Sequence, residues 1–158
     1  MFASMSVGYN HPYILEHKED LAAAAMNKPT NSDFYSTQMA DFVTTMGRVA
    51  QPNYLPYAFY IEGGALGVEN ALKAAFDWKS KLNRANGKSV DGSKVIHFKQ
   101  CFHGRSGYTL SLTDSHDMRK TNYFPKFDWP RISNPYIDFP LSDESNSAVE
   151  AKEAKALA

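Results

Sequence analysis

The segment from residue 57 to residue 98 constrains the fold more than any other part of the chain. A short apolar and aromatic run, YAFYI at residues 57–61, has the composition of a strand that is buried on both faces. A glycine pair, Gly63 and Gly64, then leads into a helical pattern, and residues 94–98 predict a second strand. A strand, a helix and a strand in this order form a right-handed crossover between parallel strands. We therefore predict an α/β fold with an incomplete sheet, because only two strands are evident.

Helical patterns and turn residues organise the rest of the chain. Residues 12–26 predict a first helix that begins at Pro12, and residues 27–33 predict a loop. A second helix is predicted from Gln38, where apolar residues recur at helical spacing. The third and best-defined helix follows the glycine pair, residues 114–140 read as a loop, and a capping-box pattern over residues 147–150 predicts a last helix. We divide the chain into an N-terminal helical segment with a loop, residues 1–56, and a partial α/β domain, residues 57–158.

Composition and charge exclude several classes of function. Lys and Arg together number 17, as do Asp and Glu, so the formal net charge is zero and the chain lacks the basic field that nonspecific nucleic-acid binding needs. Cys101 is the single cysteine and has no disulfide partner within the chain. Residues 1–13 resemble neither a signal peptide nor a membrane span. We expect a cytoplasmic protein without a nucleic-acid, membrane or metal partner.

The turn before the third helix is a candidate anion site. Gly63, Gly64 and Ala65 stand where a buried strand is predicted to meet a helix N-terminus, whose unpaired N–H groups and dipole favour a phosphate. The alternative is that the glycines only form a tight turn between strand and helix. On the residues alone, both interpretations stay open.

A second turn, at residues 101–107, combines groups suited to binding a ligand. Phe102 offers an aromatic face, Arg105 a guanidinium that can hold a carboxylate, and His103 an imidazole between them. Taken singly, each has an ordinary alternative: a core aromatic, a solvated charge or a loop histidine. Together, and at the carboxyl end of a predicted strand, they indicate a site. We interpret the neighbouring Cys101 as a small apolar residue rather than a nucleophile.

The longest of these motifs identify a family. Residues 59–79, FYIEGGALGVENALKAAFDWK, resemble the phosphate-turn helix of the class III pyridoxal-phosphate aminotransferases. Residues 102–113, FHGRSGYTLSLT, and residues 124–132, FPKFDWPRI, are similar to one branch, the L-lysine 6-aminotransferases. Residues 8–12 and 27–33 fit that branch as well. Many members of the wider family have Ser or Thr where Ala65 stands, whereas the lysine branch has Ala.

This resemblance implies a fold, a cofactor and residue roles. The fold would be part of the large domain of a fold-type I transferase that binds pyridoxal 5'-phosphate. Gly64 and Ala65 would hold the cofactor phosphate through their backbone N–H groups. Phe102 would stack on the pyridine ring with His103 beside it, and Arg105 would bind the carboxylate of the amino acid or of 2-oxoglutarate.

The implied reaction moves the ε-amino group of L-lysine to 2-oxoglutarate and gives 2-aminoadipate 6-semialdehyde and glutamate. The Schiff-base lysine of the family and the aspartate that pairs with the pyridine nitrogen lie downstream of the matched region, so neither has a counterpart in residues 1–158. We therefore expect an amino-terminal portion that is inactive alone. The family also implies a homodimer, with residues 27–36 as a candidate contact.

Two alternatives remain at this stage. One keeps the fold and changes the amine donor, as in the ornithine and 4-aminobutyrate enzymes. The other is a noncatalytic remnant that only binds an anion or serves in assembly.

Overall fold

The computed structural model describes residues 5–30 and 32–158. It divides into two compact units, of which the first ends at Ala58 and the second runs from Phe59 to Ala158. The first unit contains helices α1 (Pro12–Glu16), α2 (Lys18–Met26) and α3 (Thr37–Val49). The second contains α4 (Gly64–Ala85), β1 (His97–Phe98), α5 (Gly107–Leu112), a 3-10 turn at Met118–Lys120, β2 (Arg131–Ile132) and α6 (Asp143–Leu157).

The predicted helix over residues 12–26 is wrong as a single element, because it breaks at His17. Pro12 does occupy the first turn, as expected. His17 then leaves helical geometry with ψ near 19°, ending α1 and preceding α2. Its ring lies 4.4 Å from that of Tyr13, and its Nδ1 is 3.1 Å from the Asp20 carboxylate. His17 thus contacts one residue in each of the two helices that it separates.

Helix α3 confirms the prediction made from apolar spacing. It begins one residue before Gln38, where the Ser36 hydroxyl accepts a hydrogen bond from the Met39 N–H at 3.1 Å. The predicted loop over residues 27–33 is also present, although Asn31 lies outside the described residues. None of the described residues of this first unit is buried, so its apolar stripe faces no core within the unit.

The sheet differs from the prediction in its choice of strands. β1 pairs in parallel with β2, with His97 opposite Arg131 and Phe98 opposite Ile132. The strand predicted at residues 57–61 is wrong: that run is not a strand, and Tyr57 is 94% exposed. A strand exists only where a neighbour completes its hydrogen bonds, and β1 finds that neighbour inside residues 114–140, which were predicted to be a loop. The second predicted strand is present only as His97–Phe98.

The buried centre of the second unit lies at α5, a helix that sequence analysis did not predict. Four consecutive residues of this short helix are buried, from Thr109 to Leu112. Ser106 caps its N-terminus in a capping box with Thr109. Helix α5 therefore owes its position to contacts from elsewhere in the chain, because six residues are too few for a helix to be stable by itself.

Glu69 of α4 supplies the most important of these contacts. Its side chain is buried, and its Oε1 accepts hydrogen bonds from the Ser106 hydroxyl at 2.7 Å and from the Thr109 N–H at 3.1 Å. A carboxylate at a helix N-terminus also opposes the positive end of the helix dipole. One side chain thus joins the longest helix of the unit to the most buried one.

The last helix begins earlier than predicted. The pattern at residues 147–150 is not its capping box, because α6 starts at Asp143. The cap is formed by Ser142 and Ser145, whose hydroxyls each accept the other residue's N–H, at 3.2 and 3.0 Å. Asp143 and Glu144 lie in the first turn, where their charge favours the helix dipole.

We predict that Glu69→Ala destabilises the protein by about 1–3 kcal/mol, because the half-buried Ser106 hydroxyl and the buried Thr109 N–H lose their acceptor. The measurement is urea unfolding of the protein expressed from its complete reading frame. Asp77→Ala is the control: it removes an acid from the same helix, but one that only forms an exposed ion pair with Lys81, worth at most about 0.5 kcal/mol. Equal losses in both variants would contradict the role of Glu69.

Candidate functional site

The two turns selected from the sequence come into contact in the structure. Gly104, in the second turn, is buried and has φ of +119°. A Cβ at this position would lie 2.6 Å from the Cβ of Ala65, in the first turn, and 2.9 Å from Thr109 Oγ1. Only glycine allows this approach, because a side chain would need both the unfavourable φ and the occupied space. The loop between β1 and α5 is thereby packed against the N-terminus of α4.

The N-terminus of α4 has unpaired N–H groups directed away from the helix. Gly63 precedes the helix with φ of +80° and provides no side-chain cap. The first backbone hydrogen bond runs from the Gly67 N–H, so the N–H groups of Gly64 and Ala65 have no acceptor among the described residues. A Cβ at Gly64 would meet no atom within 4 Å. Unpaired donors, open space and the dipole of a 22-residue helix suit an anion such as a phosphate.

Two of the three candidate ligand-binding side chains of the second turn are exposed. The Phe102 ring is 70% exposed. Arg105 is exposed as well, and its guanidinium forms no ion pair or hydrogen bond with any described residue. His103 is half-buried. An aromatic face and a free guanidinium are therefore exposed in the loop that contacts the N-terminus of α4.

The backbone of the same turn is held by two residues at the end of α5. The Thr113 hydroxyl accepts a hydrogen bond from the His103 N–H at 3.0 Å and donates one to the Gly104 carbonyl at 2.6 Å. The Asp114 carboxylate accepts from the N–H of Gln100 at 2.8 Å, and the Asp114 N–H donates to the Cys101 carbonyl at 2.8 Å. Sequence analysis missed both residues, since a Thr-Asp pair has no pattern that predicts contacts with a loop ten residues earlier.

The Cys101 thiol contacts two backbone carbonyl groups. Its Sγ lies 2.7 Å from the Phe98 carbonyl oxygen and 3.1 Å from that of Leu112. A thiol within reach of two carbonyl oxygens acts as a weak donor. This placement agrees with the interpretation of Cys101 as a structural residue.

Arg131 contacts Asp114, which binds the second turn, and His97 of β1. This residue of β2 donates from Nε to His97 Nε2 at 2.9 Å and from a terminal nitrogen to Asp114 at 3.2 Å. Because Nε2 of His97 accepts, the proton of the neutral ring resides on Nδ1, which lies 3.2 Å from the Val95 carbonyl oxygen. Burial lowers the pKa of His97, and the nearby charge of Arg131 lowers it further. Sequence analysis assigned no role to His97 or Arg131.

The remaining classes of site leave no trace in the part of the chain that the structure describes. No three His, Cys, Asp or Glu side chains come together there as metal ligands. No helix within residues 5–30 and 32–158 is both long and apolar enough to cross a bilayer.

Comparison with known proteins decides the family. The aminotransferase class-III family matches the chain over residues 1–158. The chain belongs to this family. It is 51% identical over 156 residues to the L-lysine-epsilon aminotransferase of Mycobacterium tuberculosis, an alignment that covers 95% of this chain and 34% of that protein. The class III resemblance read from residues 59–79, and its lysine branch, are confirmed.

Further relatives agree. The protein of the same name from Amycolatopsis lactamdurans is 48% identical over 154 residues, covering 96% of this chain and 34% of its own. The structure of the lysine aminotransferase from M. tuberculosis in the internal aldimine form superposes with a TM-score of 0.79 and 52% identity, over 90% of this chain and 33% of that one. The chain therefore spans about a third of the length of these relatives. The close superposition supports the α/β fold of this class III aminotransferase chain, with the two-stranded sheet as the part present here.

We predict that Gly104→Ala separates the two turns of this class III aminotransferase chain. The added methyl group meets Ala65 and forces a φ that alanine rarely adopts, so we expect a loss of about 1–3 kcal/mol in the free energy of unfolding. The control is Gly107→Ala, in the first turn of α5, where the nearest atom to the new Cβ is 3.8 Å away. Thermal unfolding of both variants checks the prediction, and a Gly104→Ala protein as stable as the control would contradict it.

We also predict that protonation of His97 destabilises the protein. Folding lowers the pKa of His97 from its usual value of 6.5. As the pH falls, the unfolded chain therefore binds this proton at a higher pH than the folded protein does. The stability contributed by neutral His97 is complete above about pH 6.5, falls below that value and levels off below the folded pKa. Urea unfolding at pH values between about 5 and 8 tests this. The slope of the free energy of unfolding against pH should be smaller in His97→Gln than in the parent protein, and identical slopes would contradict the prediction.

Proposed function

We propose that the protein to which this chain belongs transfers the ε-amino group of L-lysine to 2-oxoglutarate, using pyridoxal 5'-phosphate. The products are 2-aminoadipate 6-semialdehyde and glutamate. The observation that carries the proposal is the contact of Gly104 with Ala65, which brings a helix terminus with unpaired N–H groups next to a loop with an exposed aromatic ring and a free guanidinium. The identity to L-lysine-epsilon aminotransferases supports lysine as the donor.

The cofactor fits the first turn and the exposed ring beside it. The N–H groups of Gly64 and Ala65 would bind the phosphate, and the open space at Gly64 leaves room for it. Phe102, with most of its surface free, would cover one face of the pyridine ring, with His103 next to it. When bound, pyridoxal phosphate acts as an electron sink for an amino acid attached to it.

Arg105 would bind the substrate carboxylate. Both L-lysine and 2-oxoglutarate carry a carboxylate at the end remote from the reacting group, C1 in lysine and C5 in 2-oxoglutarate. A planar guanidinium without an internal partner can bind it through two parallel hydrogen bonds. Binding both substrates in turn through one residue suits a reaction in which the donor gives up its amino group and leaves as the semialdehyde before the acceptor enters. Holding the carboxylate orients the rest of the substrate toward the cofactor.

No residue of this chain is assigned as the Schiff-base lysine or as the aspartate at the pyridine nitrogen. It includes a cytoplasmic homodimer, with the loop at residues 27–36 as a candidate contact between subunits. These assignments follow the family resemblance.

A second amine donor has some support from the comparisons. The 4-aminobutyrate aminotransferase of Emericella nidulans is 28% identical over 170 residues and covers 96% of this chain. Its identity is lower than that of the lysine enzymes, so lysine stays the first choice. L-Ornithine, the other alternative amine donor, is compared in the same experiment.

The deciding experiment measures glutamate formation by the protein expressed from its complete reading frame, with pyridoxal phosphate and 2-oxoglutarate present. L-Lysine, L-ornithine and 4-aminobutyrate are compared as donors by kcat/KM. We expect L-lysine to be preferred. A preference for either other donor would overturn the substrate, and cofactor binding without turnover of any donor would favour a noncatalytic protein.

Paired variants test the assigned roles. Arg105→Ala should raise KM for L-lysine and 2-oxoglutarate by roughly 10–100-fold through loss of charge-assisted hydrogen bonds, with little change in the Kd for pyridoxal phosphate. Gly64→Leu should do the reverse, because its side chain enters the space before the N–H groups.

Two controls accompany these variants. Gly67→Leu adds the same side chain to an open position one turn further along α4, and Arg84→Ala removes an exposed arginine that pairs with Asp91. Both should behave as the parent protein. An equal loss of cofactor and substrate binding in Arg105→Ala would show that its assigned role is wrong.

A further inference from the structure

The turn that carries Phe102, His103 and Arg105 is supported by side chains that touch no ligand. Between Gln100 and Ser106 the chain forms no regular secondary structure, and it includes two residues with positive φ, Gln100 at +57° and Gly104 at +119°. Such a segment keeps one conformation only if its surroundings determine it. A residue outside the turn must therefore fix the part of the turn that would face the ligand.

We propose that Thr113 is a positioning residue for transamination, acting through the backbone between His103 and Arg105; this rests on the function proposed above. Its hydroxyl both accepts from the His103 N–H and donates to the Gly104 carbonyl, at 3.0 and 2.6 Å. One hydroxyl group thus holds both polar groups that flank the His103–Gly104 step. Phe102 precedes this step and Arg105 follows it, so the directions of both side chains depend on it.

The burial of Thr113 makes these two hydrogen bonds hard to replace. The residue is 3% exposed, and Gly104 is buried too. Water cannot take over the bonds at a buried site without a cavity, so removal of the hydroxyl leaves a donor and an acceptor without partners. The turn would then relax to a different conformation or to several.

The other supports of the turn act at its ends. Asp114 holds Gln100 and Cys101 at the beginning, and Glu69 holds Ser106 at the end. Thr113 alone among the described residues forms side-chain hydrogen bonds to the middle of the turn. Loss of the Thr113 hydroxyl should therefore weaken ligand binding more than it shifts the neighbouring helices and strands.

The first measurement does not depend on the proposed function. Hydrogen–deuterium exchange of peptides covering residues 99–106 reports whether the turn is held. We expect Thr113→Val, which keeps the shape but removes the hydroxyl, to exchange there about tenfold faster, and Thr113→Ser to exchange as the parent protein does. An unchanged rate in Thr113→Val would overturn the proposal, whatever the protein catalyses.

The second measurement compares binding and turnover. Thr113→Val should raise the Kd for pyridoxal phosphate and the KM for 2-oxoglutarate by about tenfold each, with a smaller change in kcat, and Thr113→Ser should restore the parent values. If the parent protein transfers no amino group and binds no cofactor, the proposed function fails, while the exchange result still stands. Normal Kd and KM in a Thr113→Val protein with a loosened turn would overturn the positioning role.

Ser111→Ala is the matched control. Ser111 lies on α5, two residues before Thr113, is also 3% exposed, and accepts a hydrogen bond from the Phe127 N–H at 2.8 Å, away from the turn. We expect it to lower stability without changing Kd, KM or exchange in residues 99–106. If Ser111→Ala changes them as much as Thr113→Val does, the effect is general destabilisation and the proposal is wrong. Should Thr113→Val fail to fold, the comparison of Thr113→Ala with Thr113→Ser decides in the same way.

Discussion

The buried carboxylate of Glu69 is the interaction on which the rest of the second unit depends. It joins α4 to the N-terminus of α5 through the Ser106 hydroxyl and the Thr109 N–H. Helix α5 is too short to persist without such a tie, and four of its six residues are buried. Once α5 is in place, the loop before it must pass over Ala65, and glycine at position 104 makes that passage possible.

The candidate site separates the groups that are held from the groups that are free. Backbone atoms of the second turn are bound by Thr113 and Asp114, whereas the side chains of Phe102 and Arg105 stay exposed. A ligand binds more tightly to groups that are already fixed, because less free energy is lost in ordering them. The same logic applies at α4, where the helix geometry directs the N–H groups of Gly64 and Ala65 outward.

Local signals predicted the parts of the fold that local interactions stabilise. Helix α3 has an apolar stripe and a Ser36 cap, and α4 begins at the glycine pair, so both were predicted nearly to the residue. The run at residues 57–61 has strand composition but no partner strand among the residues that the structure describes. The partner of β1 is Arg131–Ile132, within a proline-rich stretch that reads as a loop. Pairing over more than thirty residues leaves no mark in a local pattern.

The sequence by itself determined the family and predicted the residues that would meet the ligand: Gly64, Ala65, Phe102, His103 and Arg105 all lie in short motifs with a recognisable chemistry. Only the tertiary structure decided what holds them. Glu69, Thr113 and Arg131 act on atoms that are distant in sequence or belong to the backbone, and an ordinary Glu, Thr or Arg gives no sign of its partner. The physical reason is that ligand-binding groups are distinguished by their chemistry, whereas supporting groups are distinguished by burial and geometry, which exist only after folding.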